Sequence, residues 1–481
     1  MSPSSLRPRR PFARSAQLAP PPGRRDGEAS FWHASLPAPA PRDPLPGDRG
    51  ADVCVVGAGL TGLWTAYHLK RARPDLEVVV LEREFAGFGA SGRNGGWLSA
   101  DFAAPRAAMA RAHGRDAALA LERAMRATVD AAIADCAREG IEASIVKDGV
   151  VHVARGAAQA ARLRRHVAEE RAWGHGPEDL VELDAQALAQ RVRIAGAHAG
   201  TWSPHAARVQ PALLVRGLAA AVERLGVPIY EATAVRELTP GAVRSDRGVV
   251  RCRFALACVE GFTPQLRGRR RELLPLNSAM IVTEPLSDAA SAAIGWRGAE
   301  LLGDGAHAYI YAQRTADGRI AFGGRGVPYR YGSRTDRDGR TQRRTAEQLV
   351  RLMHELFPAA ATAAVEHAWC GVLGVARDWW PAVRLDRETG IGFAGGYVGN
   401  GVATTHLAGR TMRDLVLGED TELTRLPWVG HQSRRWEPEP LRWLGAHSVY
   451  ALYRAADRRE AASGSPRTSA LARVAERLAG R

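Results

Sequence analysis

The apolar positions fall into a strand–turn–helix–strand pattern early in the chain. Val53–Val56 and Val78–Leu81 are unbroken apolar runs, which suit parallel strands buried on both faces. Between them a glycine turn leads into a helix. Residues 103–139 are Ala-rich with helical spacing at Leu119, Leu121, Ala124, Met125 and Val129. Further helices are predicted over 157–172, 184–192, 211–225 and 343–356. Residues 145–153 read as a hairpin. Strands are predicted over 227–236, 242–245, 249–258, 278–284, 307–313 and 319–323. Residues 390–418 read as strand, Gly-rich turn and helix, and two more helices close the chain near 445–460 and 467–479. At 481 residues the chain suits two packed domains. No run of about 18 apolar residues occurs, so no membrane span is predicted.

Two glycine clusters carry the first chemistry. Gly57, Gly59 and Gly62, with Leu60 and Thr61 between, form a GxGxxG directly after a strand and before a helix. The first glycine permits the turn, the second lets the backbone approach a pyrophosphate, and the third lets helix and strand pack closely. The helix N-terminus offers free N–H groups to phosphate. Glu82, at the end of the second strand, can accept hydrogen bonds from a ribose diol. The second cluster, residues 85–97, has five glycines and holds Ala90, Ser91, Arg93, Asn94, Gly95 and Gly96. Such backbone lies close to something flat or charged. Arg93 suits a pyrophosphate, and Gly95-Gly96 can approach a flavin ring.

Charge redirects none of this. The net charge of +15 comes mostly from the ends: residues 1–50 hold 8 Arg and 4 acids, and residues 425–481 hold 11 Arg and 5 acids. No basic face with interleaved aromatics stands out, so specific nucleic-acid binding is not expected. The five cysteines include no CxxC and suggest neither a disulfide framework nor a metal site. A cytoplasmic location follows. The Arg-rich start has no apolar run after Arg9-Arg10 and reads as a disordered tail rather than a signal.

GAGLTG, Glu82 and GFGASGRNGG together resemble the FAD-dependent oxidoreductase family of D-amino acid oxidase, glycine oxidase and sarcosine oxidase. The nearest branch is the one containing gamma-glutamylputrescine oxidase. The resemblance implies non-covalent FAD, with Val235 reaching adenine through its backbone. It also identifies Gly396, Gly399, Asn400 and Gly401 as the second flavin loop. That loop also makes sense by itself, since a helix N-terminus there can stabilise charge on a reduced flavin. The chain departs from the branch at Asn400, Cys370 and Trp379-Trp380.

The implied reaction oxidises a small amine or amino acid to an imine and passes electrons to O2, or to a carrier or quinone. A non-catalytic basic nucleotide-binding protein is a third reading. Candidate substrate contacts are Tyr309, Tyr311 and Arg314, with Arg377 as an alternative carboxylate clamp. His307 and His406 are read as structural. The expected architecture is α/β: a discontinuous Rossmann-like FAD domain from residues 31–100, 205–265 and 365–425. An α+β substrate domain on a mixed or antiparallel sheet takes 101–204 and 266–364. Residues 1–30 form the tail and 426–481 a helical extension.

Overall fold

The computed structural model describes residues 25–324, 329–336 and 338–480. Its first sheet has eight strands. Arg49–Val56 lies between Val78–Leu81 and Val249–Ala257, parallel to both, and Ile229–Tyr230 extends the parallel row. Ile391–Gly395 adds a further parallel strand on Val249–Ala257, and Ala382–Asp386 pairs with it antiparallel. Val53, Cys54, Val55, Val78, Val79 and Val80 are almost fully buried, as strands covered on both faces require. The register sets Val56 opposite Leu81. Gly57 N donates to Leu81 O at 2.8 Å, so the glycine turn and Glu82 emerge side by side.

The second sheet has nine strands, in the order Arg25–Asp26, Val365–Val375, Leu274–Thr283, Ile320–Gly324, Ile310–Arg314, Leu301–Asp304, Val150–Ala154, Ala199–Ser203 and Val181–Asp184. It is largely antiparallel, with parallel pairs at Arg25–Asp26 and between Leu301–Asp304 and Val150–Ala154.

Several sequence boundaries need correction. Val365–Val375, assigned above to the FAD domain, pairs along its length with Leu274–Thr283 in the nine-stranded sheet. The helices Arg106–His113 and Arg115–Arg138, assigned to the substrate domain, bury Met109, Leu121, Met125 and Val129 in one core with Leu63 and Leu407. Residues 145–153 are no hairpin: Val150–Ala154 pairs with Ala199–Ser203, and Val146 bridges to Arg208. Of the expected tail, residues 1–24 lie outside the described residues, whereas Arg25–Asp26 forms an edge strand. Among the described residues, no helix is long and apolar enough to cross a membrane.

The Pro-rich arm docks by polar contacts. Arg42 pairs with Glu223 and Glu231, and Leu45 N donates to Thr233 Oγ1 at 3.0 Å. After the second glycine loop the helix Gly401–Leu417 packs against Leu60–Ala72. The chain ends in an antiparallel pair of helices, Leu441–Ser463 and Ala470–Ala479.

Candidate active site

The helix Leu60–Ala72 starts at Gly59 and the helix Gly401–Leu417 at Asn400; neither first turn holds an acidic residue, and at the first of them Leu60 N donates to Ser91 Oγ at 2.8 Å. Both point into one cleft of about 140 Å3, lined by Gly57, Gly59, Leu60, Thr61, Glu82, Ala90, Ser91, Asn94, Val235, Gly399 and Gly401. Two positive helix ends in one cleft, neither with an acid in its first turn, fit an anion of diphosphate type. A Cβ at Gly59 would come within 2.9 Å of Ser91 Oγ and of nothing else closer than 3.9 Å, so the space above Gly59 is left for a ligand. The residues present therefore fit FAD.

Glu82 Oε2 accepts from Ala58 N at 2.9 Å and Oε1 from Glu84 N at 3.0 Å. Desolvation raises its pKa, while those two N–H groups pull it down. Glu82 thus fixes the turn as well as facing the cleft. Glu82→Ala is expected to cost about 1–3 kcal/mol of FAD binding, raising the dissociation constant roughly 5- to 150-fold. Titration of apoprotein with FAD, followed by flavin fluorescence, checks this.

The loop from Gly92 to Gly95 is held from outside. Ser30 Oγ donates to Gly92 O at 2.7 Å, Trp369 Nε1 to Arg93 O at 2.9 Å, Trp32 Nε1 to Asn94 O at 2.8 Å, and Gln313 Nε2 to Gly95 O at 2.7 Å. Four successive carbonyls are pinned by side chains from three distant segments, which fixes the loop's path past the cleft. Asn94 adds a local brace, accepting from Gly96 N at 2.7 Å and donating to Ser91 O at 2.8 Å.

Arg93 does not meet the expected pyrophosphate. Its guanidinium is buried, pairs with Asp336 at 2.7 Å and stacks over Phe88 at 4.1 Å. It lines the neighbouring large cavity instead of the diphosphate cleft. The Gly95-Gly96 pair is glycine for packing reasons as well. A Cβ on Gly95 would sit 3.0 Å from the Tyr311 ring, and one on Gly96, at φ +70°, would collide with Gln313 and the Val209 carbonyl. Gly396 lines neither cavity, and its N–H donates to Glu260 Oε2 at 2.7 Å.

Glu260 is the residue that sequence reading missed. It follows the strand Val249–Ala257 and accepts from Gly374 N (3.1 Å), Gly396 N (2.7 Å) and Tyr397 N (3.2 Å). It ties the second glycine loop to the nine-stranded sheet. Desolvation pushes its carboxyl up to about 7 against those three N–H groups. Its left-handed φ of +43°, strained for a non-glycine residue, is not visible in sequence.

A second cavity of about 820 Å3 adjoins the cleft and shares Ala90, Asn94, Leu373 and Gly399 with it. Tyr309 and Tyr311 line it. Tyr311 Oη shares a hydrogen bond with Ser278 Oγ at 2.8 Å. Arg314 does not line it; its carbonyl accepts from Arg208. Residues 309, 311 and 313 share one strand face, and 314 points to the other. Arg377 is also no clamp, because it binds Glu437 at 3.0 Å and the Ala479 carbonyl. Among the wall's other polar groups, Asp101, His152, Asp304 and Ser278 come from separate strands and loops and gave no sequence signal. Asp304 is pushed up to about 6 by desolvation.

Trp379 lines the cavity, whereas Trp380 stacks on His431. His406 pairs with Asp135 at 2.8 Å in the core, and His307 with Glu460 at 2.9 Å. Cys370 Sγ donates to Arg340 O and lines neither cavity. Lys70 caps its own helix through Pro74 O and Leu76 O, and Lys147 pairs with Asp130, so neither lysine reaches the cavities.

Comparison with known proteins follows this geometry. The family described as DAO, FAD dependent oxidoreductase, matches residues 52–415. Gamma-glutamylputrescine oxidoreductase of Escherichia coli (strain K12) is 31% identical over 401 residues, covering 81% of this chain and 89% of that protein. Glycine oxidase from Geobacillus kaustophilus superposes with a TM-score of 0.65 at 21% identity, covering 79% of this chain and 99% of that one. L-proline dehydrogenase from P. horikoshii superposes with a TM-score of 0.63 at 16% identity, covering 80% of this chain and 98% of that one.

Proposed function

We propose that this chain, which belongs to the FAD dependent oxidoreductase family, oxidises the carbon–nitrogen bond of a small amine or amino acid to an imine, with O2 as electron acceptor. When bound, FAD supplies the acceptor for the hydride equivalent leaving the substrate carbon. The observation that carries the reading is the 820 Å3 cavity opening from the diphosphate cleft at Asn94 and Gly399. A relative whose printed name is gamma-glutamylputrescine oxidoreductase supports an amine substrate.

The protein's own part is orientation, desolvation and proton handling. Tyr309 and Tyr311 form one wall, and the Ser278 bond fixes the Tyr311 hydroxyl. A hydride leaves readily only from a neutral amine, so a proton acceptor is needed. Asp304, pushed up to about 6, and His152, held neutral by desolvation, offer such atoms on the wall. The uncapped start of the helix Gly401–Leu417 stabilises negative charge beside Gly399. Residues 31–100, 106–138, 205–265 and 376–425 serve the FAD domain in this reading, and the nine-stranded sheet would cover the bound flavin. FAD is held without a covalent link in this reading; Cys370, whose thiol donates to Arg340 O, lines neither cavity. Five free, buried cysteines suit a cytoplasmic location.

The lysines favour a second reading. Neither lines the cavity, so no lysine ammonium stands there to support reduction of O2. Electron delivery to a carrier or quinone is the corresponding alternative. The test is a hydrogen peroxide assay beside a dye-reduction assay, across polyamines, N-methyl amino acids and D-amino acids. Peroxide formed in step with turnover supports O2; dye reduction without peroxide supports the carrier. No flavin reduction by any of these substrates refutes amine oxidation. With a substrate in hand, Tyr311→Phe is expected to lower kcat/KM roughly 5- to 30-fold, about 1–2 kcal/mol, and Arg314→Ala to match the parent.

A further inference from the structure

Residues 426–480 follow the family match, which ends at Leu415. They are nevertheless built into the large cavity. Tyr450, on the helix Leu441–Ser463, lines it directly. Seven residues further along that helix, Asp457 accepts from the backbone N–H groups of His307 and Ala308, both at 2.9 Å. Glu460 accepts from His307 Nε2 and pairs with Arg162 at 2.7 Å. The loop just before Tyr309 is therefore clamped by the extension.

The extension also holds a second part of the wall. Trp379 takes a left-handed φ of +65°, a strained conformation for a bulky residue that persists only where surroundings over-determine it. Its indole donates to Ala479 O at 2.9 Å, and Arg377 donates to the same carbonyl at 3.1 Å. Trp436 Nε1 donates to Val375 O at 2.7 Å. Trp379, Val398, Leu276, Val449, Tyr453, Ala475 and Ala479 form one apolar cluster across the junction.

We infer that the C-terminal extension is the outer wall of the substrate cavity, and that Tyr450 and Trp379 set the size of amine it admits. Asp457 is a positioning residue, acting on the cavity through the loop that carries Tyr309. The inference rests on the proposed amine oxidation only for its kinetic arm.

The experiment uses full-length, FAD-loaded protein with Tyr450→Ala and Asp457→Ala. Quenching of bound-flavin fluorescence by acrylamide reads access to the cavity without turnover. The quenching constant is expected to rise severalfold in both variants. In the kinetic arm, linear primary amines of increasing length are compared. Tyr450→Ala should shift the kcat/KM ratio of long to short amines at least about tenfold toward the long ones, with KM carrying the change. Parent-like quenching and parent-like discrimination in both variants, at parental flavin content, would overturn the inference. If no amine reduces the parent's flavin, the amine reading fails and the quenching arm still decides this one. If Tyr450→Ala does not retain FAD, Asp457→Ala carries the same test.

Discussion

Gly62→Ala is expected to purify without FAD and with a markedly lower melting temperature, while Gly59→Val loses FAD and melts like the parent apoprotein. Both glycines belong to one fingerprint, but different neighbours constrain them. A Cβ on Gly62 would collide with the Gly57 carbonyl and lie 2.9 Å from Val55 Cγ1. Both are backbone or core atoms in a strand pinned on both sides, so neither can yield. Overpacking of this kind costs about 1–3 kcal/mol and more where the backbone must move. At Gly59 the closest protein atom is Ser91 Oγ at 2.9 Å, the end of a short side chain that can rotate away. A side chain there occupies ligand space. Thermal melting of both apoproteins beside their flavin absorbance separates the two effects. Equal melting temperatures for Gly62→Ala and parent would remove the packing explanation.

Glu260→Ala should have a comparably large effect through a different route. It orphans three backbone donors, Gly374 N, Gly396 N and Tyr397 N, at about 1–3 kcal/mol each where water does not replace the carboxylate. The second glycine loop then loses its tie to the nine-stranded sheet, and FAD content should fall sharply. A pH signature accompanies this. The Glu260 carboxyl titrates near 7 in the folded protein against 4.5 for an ordinary glutamate. Folding therefore favours its protonated form. That contribution is fully present below about pH 4.5 and is lost as pH rises through about 7. Between pH 5 and 8 the parent's stability should fall relative to Glu260→Gln, whose amide does not titrate. Parallel melting curves for the two proteins across that range would show that Glu260 is ionised throughout.

The sequence by itself determined the parts whose chemistry is local. The run from Val53 to Glu82 is contiguous, and its strand, turn, helix and strand follow from apolar runs and glycine placement. The second loop, Gly396–Gly401, was likewise legible as a glycine turn before a helix. The tyrosine pair was legible because two residues of separation fixes one strand face.

Only the tertiary structure decided what depends on distant partners. Arg93 looked like a phosphate ligand because arginine in a glycine loop usually faces anions. Asp336, 243 positions away, takes its charge instead. Val365–Val375 reads as a strand of either domain, and only its long register with Leu274–Thr283 assigns it. Glu260 looked like an ordinary acid after a strand until three N–H groups from two other segments converged on it. The cavity wall gathers side chains from the nine-stranded sheet, the two glycine loops, the Ala-rich helices and the C-terminal extension. No spacing along the chain encodes that assembly, because each contributor is placed by burial of its own apolar face rather than by its neighbours in sequence.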